Sequence, residues 1–179
     1  MAIFKIAKIG NEVLRRQCRC LGKAESKTPK FKRFLGRLVE TMRAASGVGI
    51  AANQVGVGLR VIVVECRANK RYPRAAEFPL AVYINPRILK YSKEMIADWE
   101  GCLSIPGYWG LVPRSKRVTF EALTPDGARV VQTVEGFQAR VIQHEVDHIN
   151  GNFYMDRMSD FLSWIHLDEF NRRFHSRIK

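Results

Sequence analysis

No apolar run in this 179-residue chain approaches the ~18 residues that suggest a membrane-spanning helix. The sequence therefore predicts no such helix and no membrane partner. The opening stretch, Met1 to Gly10, alternates lysines with short apolar pieces. It lacks an apolar h-region and a small-residue cleavage site, so no secretory signal peptide is expected. Cysteine is scarce, with four residues at 18, 20, 66 and 102. A chain of this length can bury a core without covalent staples, and a reducing compartment is expected. Repeats, low-complexity segments and clear linkers are absent, which predicts a single domain over residues 1–179. Acidic residues are few: 17 Asp and Glu stand against 30 Lys and Arg, a formal net charge of +13. That excess favours anionic surfaces, nucleic acid above all, and carries no information about fold.

The elements that are present read as follows. Thr28-Pro29 looks like an N-cap followed by proline at the first helical position. Phe31, Phe34, Leu35, Leu38, Val39 and Met42 then recur at helical spacing, with Gly47 as the end signal. The small-residue segment from Gly47 to Gly58 is expected to be irregular. Leu59 to Glu65 is β-branched and predicts a buried strand. Arg67 to Pro79 predicts a surface loop, and Leu80–Ile84 and Arg87–Tyr91 predict two short strands around Pro86. Arg117–Leu123 and Ala128–Glu135 flank Pro125-Asp126-Gly127, a hairpin signal. Gly136 to Asn150 predicts a helix closed by Gly151, and a last helix is expected from Asp160 to about Arg177. Short strand connections and few helices point to an α+β fold. Its mixed, mostly antiparallel strands should pack around a central helix that carries a metal site.

The sharpest chemical signal is His144-Glu145-Val146-Asp147-His148. Residues i and i+4 of a helix share a face, so both imidazoles can reach one metal ion with Glu145 beside them. The bland alternative is a helix that happens to carry two histidines. Only four histidines occur in the chain, and Val141, Ile142, Val146 and Ile149 make the surroundings apolar. Burying these polar groups there is costly unless they are paired or coordinated. An open tetrahedral site needs a third protein ligand. Cys102, in Glu100-Gly101-Cys102-Leu103-Ser104, is one candidate, whose plain alternative is a small core residue. Glu169 is the other, 21 residues after His148, as in a zinc endopeptidase of the HExxH type. Its plain alternative is a solvated charge among Asp168, Arg172 and Arg173. Spacing alone leaves both open.

A third segment, Gly47-Val48-Gly49-Ile50-Ala51-Ala52-Asn53-Gln54, sets small residues before a single amide. Taken in order, the three segments resemble the peptide deformylase family, whose signature is GxGxAAxQ, EGCxS and HExDH. The likeness extends to Ser104-Ile105-Pro106-Gly107, Leu111-Val112-Pro113-Arg114 and Gln143, and covers about Val13 to Met158. It implies an enzyme that hydrolyses the N-formyl group from the N-terminal formyl-methionine of new polypeptides. It implies that Cys102, His144 and His148 bind one divalent metal, typically ferrous iron, with zinc, nickel or cobalt also possible. Glu145 would handle protons, and the Gln54 amide and Leu103 backbone N–H would donate to the formyl oxygen. The substrate would add as a strand beside Gly47–Ile50, making Val48, Gly49 and Ile50 contact residues. Phe137 and Val141 would line the methionine pocket, and Arg114 would contact the substrate backbone. Asp98 and Arg140 depart from the apolar residues many relatives carry at those positions. The resemblance also implies contact of the basic C-terminal segment, with Arg172, Arg173, His175, Arg177 and Lys179, with ribosomes. The compartment it implies is the bacterial cytoplasm, with an organellar matrix or stroma as the other choice.

Overall fold

The structure, a computed structural model, describes residues 3–67 and 76–174. A short helix α1 (Lys23–Ser26) leads into α2 (Pro29–Ala44). Strands β1 (Gly49–Ala51), β2 (Val61–Cys66), β3 (Phe78–Tyr91), β4 (Met95–Cys102), β5 (Ile105–Ser115), β6 (Arg117–Leu123) and β7 (Arg129–Glu135) follow. Helix α3 (Gly136–Ile149), the two-residue strand β8 (Ile165–His166) and α4 (Leu167–Phe174) complete the described chain. One sheet has the order β1-β2-β3-β6-β7 and the other β4-β5-β8. Every ladder in both is antiparallel. The expected α+β class holds.

Helix α2 starts as its sequence dictates. The Thr28 hydroxyl accepts from the Phe31 N–H at 3.2 Å, and Pro29 fills the first helical position. The helix stops at Ala44, and Ser46 takes a left-handed φ of 52°, so the turn comes before Gly47. Phe31, Leu35, Leu38, Val39 and Met42 pack on Ile50, Val61 and Val63. That contact carries the chain directly into β1. Strand β1 pairs only with β2, Gly49 opposite Val64 and Ala51 opposite Ile62. It forms an edge of its sheet, so the segment expected to be irregular contains a short strand with an unpaired side among the described residues.

Helix α3 lies against β1, β2, β3, β5, β6 and β7 and so occupies the centre. Ten of its fourteen residues are buried, which means its polar groups must be paired within the protein. Ile142 and Ile149 are fully covered, each stabilising the fold by about 1.5–3 kcal/mol of apolar burial.

Further expectations need correction. Leu80–Ile84 and Arg87–Tyr91 are parts of one strand, β3. The strand accommodates Pro86 by a register shift between Ile84 and Arg87, with Asn85 at φ 53°. Strands β4 and β5 were not expected, since Pro106, Gly107, Gly110 and Pro113 interrupt β5 and hide its alternation. The last helix starts at Leu167, because Ile165 and His166 are drawn into β8 against Trp109 and Tyr108. Its expected end at Arg177 lies outside the described residues, as do His175 and Lys179. Residues 68–75 of the expected Arg67–Pro79 loop also lie outside them, and its last two residues, Phe78 and Pro79, belong to β3.

Candidate metal centre and its cleft

His144 and His148 stand one turn apart on α3, their rings 4.8 Å between centroids. The end of β4 delivers Cys102 to them through a register shift after Gly101, and its Sγ lies 3.1 Å from His148 Nε2. One donor atom from each of the three residues lies within 4.8 Å of the others. Of the two candidate third ligands, Cys102 is the one the fold brings to the histidines. Glu169 sits on α4 at the surface, paired with Arg172, and is not part of the grouping.

The donors are prepared chemically as well as spatially. His144 Nδ1 faces Glu100 Oε2 at 2.8 Å, which fixes a proton on Nδ1 and leaves Nε2 as a donor to a metal. Burial opposes ionisation of Cys102, yet His148 and His144 overcome it and hold the thiol well below its usual range. The thiolate is the form that binds metal. Two imidazoles and a thiolate in tetrahedral reach fit a divalent ion of the zinc or ferrous type.

Glu145 is buried beside the grouping, and its Oε2 has no hydrogen-bond partner among the described residues. Burial pushes its carboxyl up to about 7; the two imidazoles pull against this, while Cys102 and Glu100 add to it. A carboxyl poised there can take and return a proton near neutrality. Gln54 faces it from the 3₁₀ turn Ala52–Val55 after β1. Its Oε1 accepts from the Ala51 N–H at 2.8 Å, which forces the NH₂ the other way. That group donates to Ser104 Oγ at 3.1 Å and points at Cys102 Sγ, 3.6 Å away.

The family described as polypeptide deformylase matches residues 3–163. Peptide deformylase 1 of Nitrosomonas europaea is 43% identical over 141 residues, covering 79% of this chain and 80% of that protein. Two crystal structures of class I type b peptide deformylase from Acinetobacter baumannii superpose closely, each at 39% identity. One has a TM-score of 0.87 and covers 89% of this chain and all of the other. The second, bound to Met-Ala-Ser, has a TM-score of 0.85 and covers 88% and 99%. The chain belongs to the peptide deformylase family.

Against that deformylase frame, each expected residue has a definite place. Val48, Gly49, Gln54, Leu103, Phe137 and Val141 line the cleft with Cys102, His144 and Glu145. The side chain of Ile50 does not; it is fully buried under α2, opposite Val63, which leaves only its backbone to face a ligand. Arg114 is the clearest correction. Its guanidinium bonds Glu100 at 2.9 and 3.0 Å and also bonds Asp147, and it is buried rather than open to the cleft. It orders the acid that orders His144, and it is not among the residues that line the cleft. Asp147 in turn holds Arg157 at 2.8 and 3.2 Å.

Arg140 does line the cleft, but its charged end turns inward. It donates to Glu100 Oε1 at 2.7 Å and to the carbonyls of Val112 at 2.8 Å and Ile96 at 2.6 Å. The position stays compatible with an apolar pocket because only its stem is presented. Glu100, Ser104 and Trp99 were missed as site residues. Alternation along a strand would have set Glu100 on the face of Cys102, but the strand itself was not legible.

Proposed function

We propose that this chain removes the formyl group from N-formylmethionyl polypeptides, acting as one catalytic domain over residues 1–179. The observation that carries the reading is the grouping of Cys102, His144 and His148 beside an unpartnered, buried Glu145 and a pre-oriented Gln54 amide. An ion held by Cys102, His144 and His148 supplies the Lewis acidity that makes water a nucleophile near neutral pH.

The chain's own residues do the rest. The unpaired edge of β1 offers backbone groups to an extended peptide, as in strand addition. Val48, Phe137 and Val141 receive the methionine side chain. Gln54 Nε2 and the Leu103 N–H donate to the formyl oxygen as negative charge develops on it. Glu145 takes a proton from the attacking water and passes it to the departing amine of methionine. The bond broken joins the formyl carbon to that nitrogen, and the products are formate and a free N-terminus.

Ferrous iron is the proposed metal in the cell, with zinc, nickel and cobalt as substitutes the donor set accepts. The proposed compartment is the bacterial cytoplasm, and a contact between the basic C-terminal segment and ribosomal RNA is proposed as the means of meeting substrate. No helix among the described residues is long and apolar enough to cross a membrane. The test is hydrolysis of formyl-Met-Ala-Ser with and without a chelator, followed by metal analysis. Formate release that stops on chelation and returns with ferrous iron supports the reading. A fully metal-loaded protein that releases none overturns it.

A further inference from the structure

Charge is not spread evenly over this chain. Residues 15–37 hold nine Lys and Arg against one Glu, so +8 of the net +13 falls within 23 residues. Arg15, Arg16 and Arg19 pair with Asp156, Glu12 and Glu25. The Arg37 guanidinium lies over the Phe4 ring, 3.9 Å from its centroid. Lys23, Lys27, Lys30, Lys32 and Arg33 remain, all exposed, and no salt bridge engages them among the described residues. We propose that this face of α1 and α2 binds single-stranded RNA, its phosphates on those cations and one base in the groove beside them.

The groove, of about 350 Å³, is floored by Phe31, Phe34, Val57 and Leu59 and edged by Lys30 and Arg19. The two phenyl rings stack with centroids 6.0 Å apart and planes 30° apart, and Phe34 is only half-buried. A partly open ring beside cations suits a nucleotide, whose base offers a flat face while its phosphate stays in water near the charge. An acidic peptide or an anionic lipid headgroup would use the cations and bring the ring no planar partner. Glu25 is the one opposing charge at the groove, and Arg19 holds its two oxygens at 2.8 and 2.9 Å.

The placement of these cations works against the helix that carries them. The first turn of α2 has no acidic residue and carries Lys30 and Lys32, with Arg33 next, at the positive end of the helix dipole. Arg33 and Arg37, four residues apart, add a like-charge repulsion. An arrangement that is unfavourable for the fold is explained by a ligand of opposite sign. The same helix end attracts phosphate, and Thr28, its cap, lines the groove.

The groove and the metal cleft share no residue. The run of α2 from Lys30 to Ala44 sets about 20 Å of helix between them, so RNA bound here leaves the cleft open. The choice of RNA over DNA rests on the deformylase reading, whose substrates are new chains. The site itself rests on the surface alone.

The experiment titrates the metal-loaded full chain into a labelled single-stranded RNA of about 12 nucleotides over a potassium chloride series, read by anisotropy. Three to five neutralised phosphates give a log–log slope of about −2 to −3.5. Lys30→Glu with Arg33→Glu should weaken binding by about tenfold or more and flatten that slope by about 1–2. Lys90→Glu with Lys93→Glu, exposed on and just after β3, makes the same change in net charge and should cost about threefold or less. The C-terminal segment is unaltered in every variant, so its contribution cancels. Phe34→Ala should weaken binding of the single strand by roughly tenfold and leave binding of a duplex RNA of the same length unchanged. Thermal unfolding checks each variant; if Phe34→Ala unfolds, Phe34→Leu, which keeps apolar bulk and loses the ring, decides. Equal loss from both pairs of reversals overturns the site. So does competition by poly-glutamate or phosphatidylserine vesicles as strong as that of unlabelled RNA, or normal binding by the folded Phe34 variant. Formate release from formyl-Met-Ala-Ser is measured on the same samples and should be unchanged by Lys30→Glu with Arg33→Glu. Intact RNA binding without turnover in the parent overturns the deformylase reading and leaves the site standing.

Discussion

Gly49→Ala adds one methyl group in the middle of β1, and the structure says what it meets. A Cβ at residue 49 would lie 2.8 Å from both Cγ and Cδ of Glu145 and closer still to its Oε1. Carbon atoms pack at about 3.5–4.0 Å, so the Glu145 side chain must retreat by roughly 0.7 Å or more. Backbone strain is not the issue, since no positive φ is recorded at Gly49. The fold should absorb the methyl group at a cost of about 1–3 kcal/mol, because the obstacle is a side chain rather than backbone. Catalysis should not absorb it. Misplacement of a reacting group by about 1 Å costs on the order of 10²-fold. We expect kcat on formyl-Met-Ala-Ser to fall by about 30- to 100-fold, with metal content unchanged. The assay is formate release under saturating substrate, paired with metal analysis of the same sample. A folded, metal-loaded Gly49→Ala enzyme within threefold of the parent kcat would refute the claim that Glu145 is held against β1 and acts from there.

Glu145→Gln should retain the metal and lose about 10²–10⁴-fold or more in kcat, because the proton transfer acts on both water and amine; loss of metal from the folded variant would mean Glu145 is a ligand. Gln54→Ala should lower kcat more than it raises KM, and should also destabilise the fold by about 1–3 kcal/mol, since the Ala51 N–H loses its buried acceptor; a raised KM alone would reduce Gln54 to a binding group. Cys102→Ser should weaken metal retention against a chelator by orders of magnitude, whereas Glu169→Gln should leave it unaltered; the reverse pattern would favour the endopeptidase arrangement. Glu65, buried at the end of β2, is held below the usual carboxylate range by its bonds to Arg43 at 2.7 and 3.0 Å, against the cost of burial. A depressed folded pKa stabilises at neutral pH and ceases to do so as pH falls through it. Glu65→Gln should therefore cost about 1 kcal/mol at pH 7, Arg43 being partly exposed, and progressively less below about pH 4. A deficit independent of pH in denaturant titrations would show that the pair is not its source.

The chemistry was more legible than the architecture. Two histidines one turn apart declare a helix and a ligand pair together, because periodicity and coordination ask for the same spacing. Thr28-Pro29 was equally clear, since capping is local. The β4–β5 hairpin was not legible: its prolines and glycines read as loop, and what makes it a sheet is pairing over many residues. The start of α4 was misplaced for a related reason. Phe161 and Trp164 continue the apolar spacing of Phe170 and Phe174, but Trp164 stacks on Tyr108 at 4.4 Å, and that contact pulls the chain into β8. Arg114 shows the limit of reading roles residue by residue. Its match to the family pattern suggested a substrate contact, and only the assembled fold reveals two carboxylates that hold the guanidinium in the interior, away from the cleft lining.

Those carboxylates belong to a line of charge that runs Arg140–Glu100–Arg114–Asp147–Arg157. It begins on the central helix, crosses to both strands of the hairpin, returns to the helix and leaves through the turn that follows. The proposed metal ligands divide across the same seam, two on the helix and one at the hairpin's edge. Whatever parts the seam parts the ligands. Removing Glu100, Arg114 or Asp147 strands a buried partner, so these three charges can be exchanged only together with their neighbours. Loss of the ion and loss of the fold should consequently be one transition on heating rather than two.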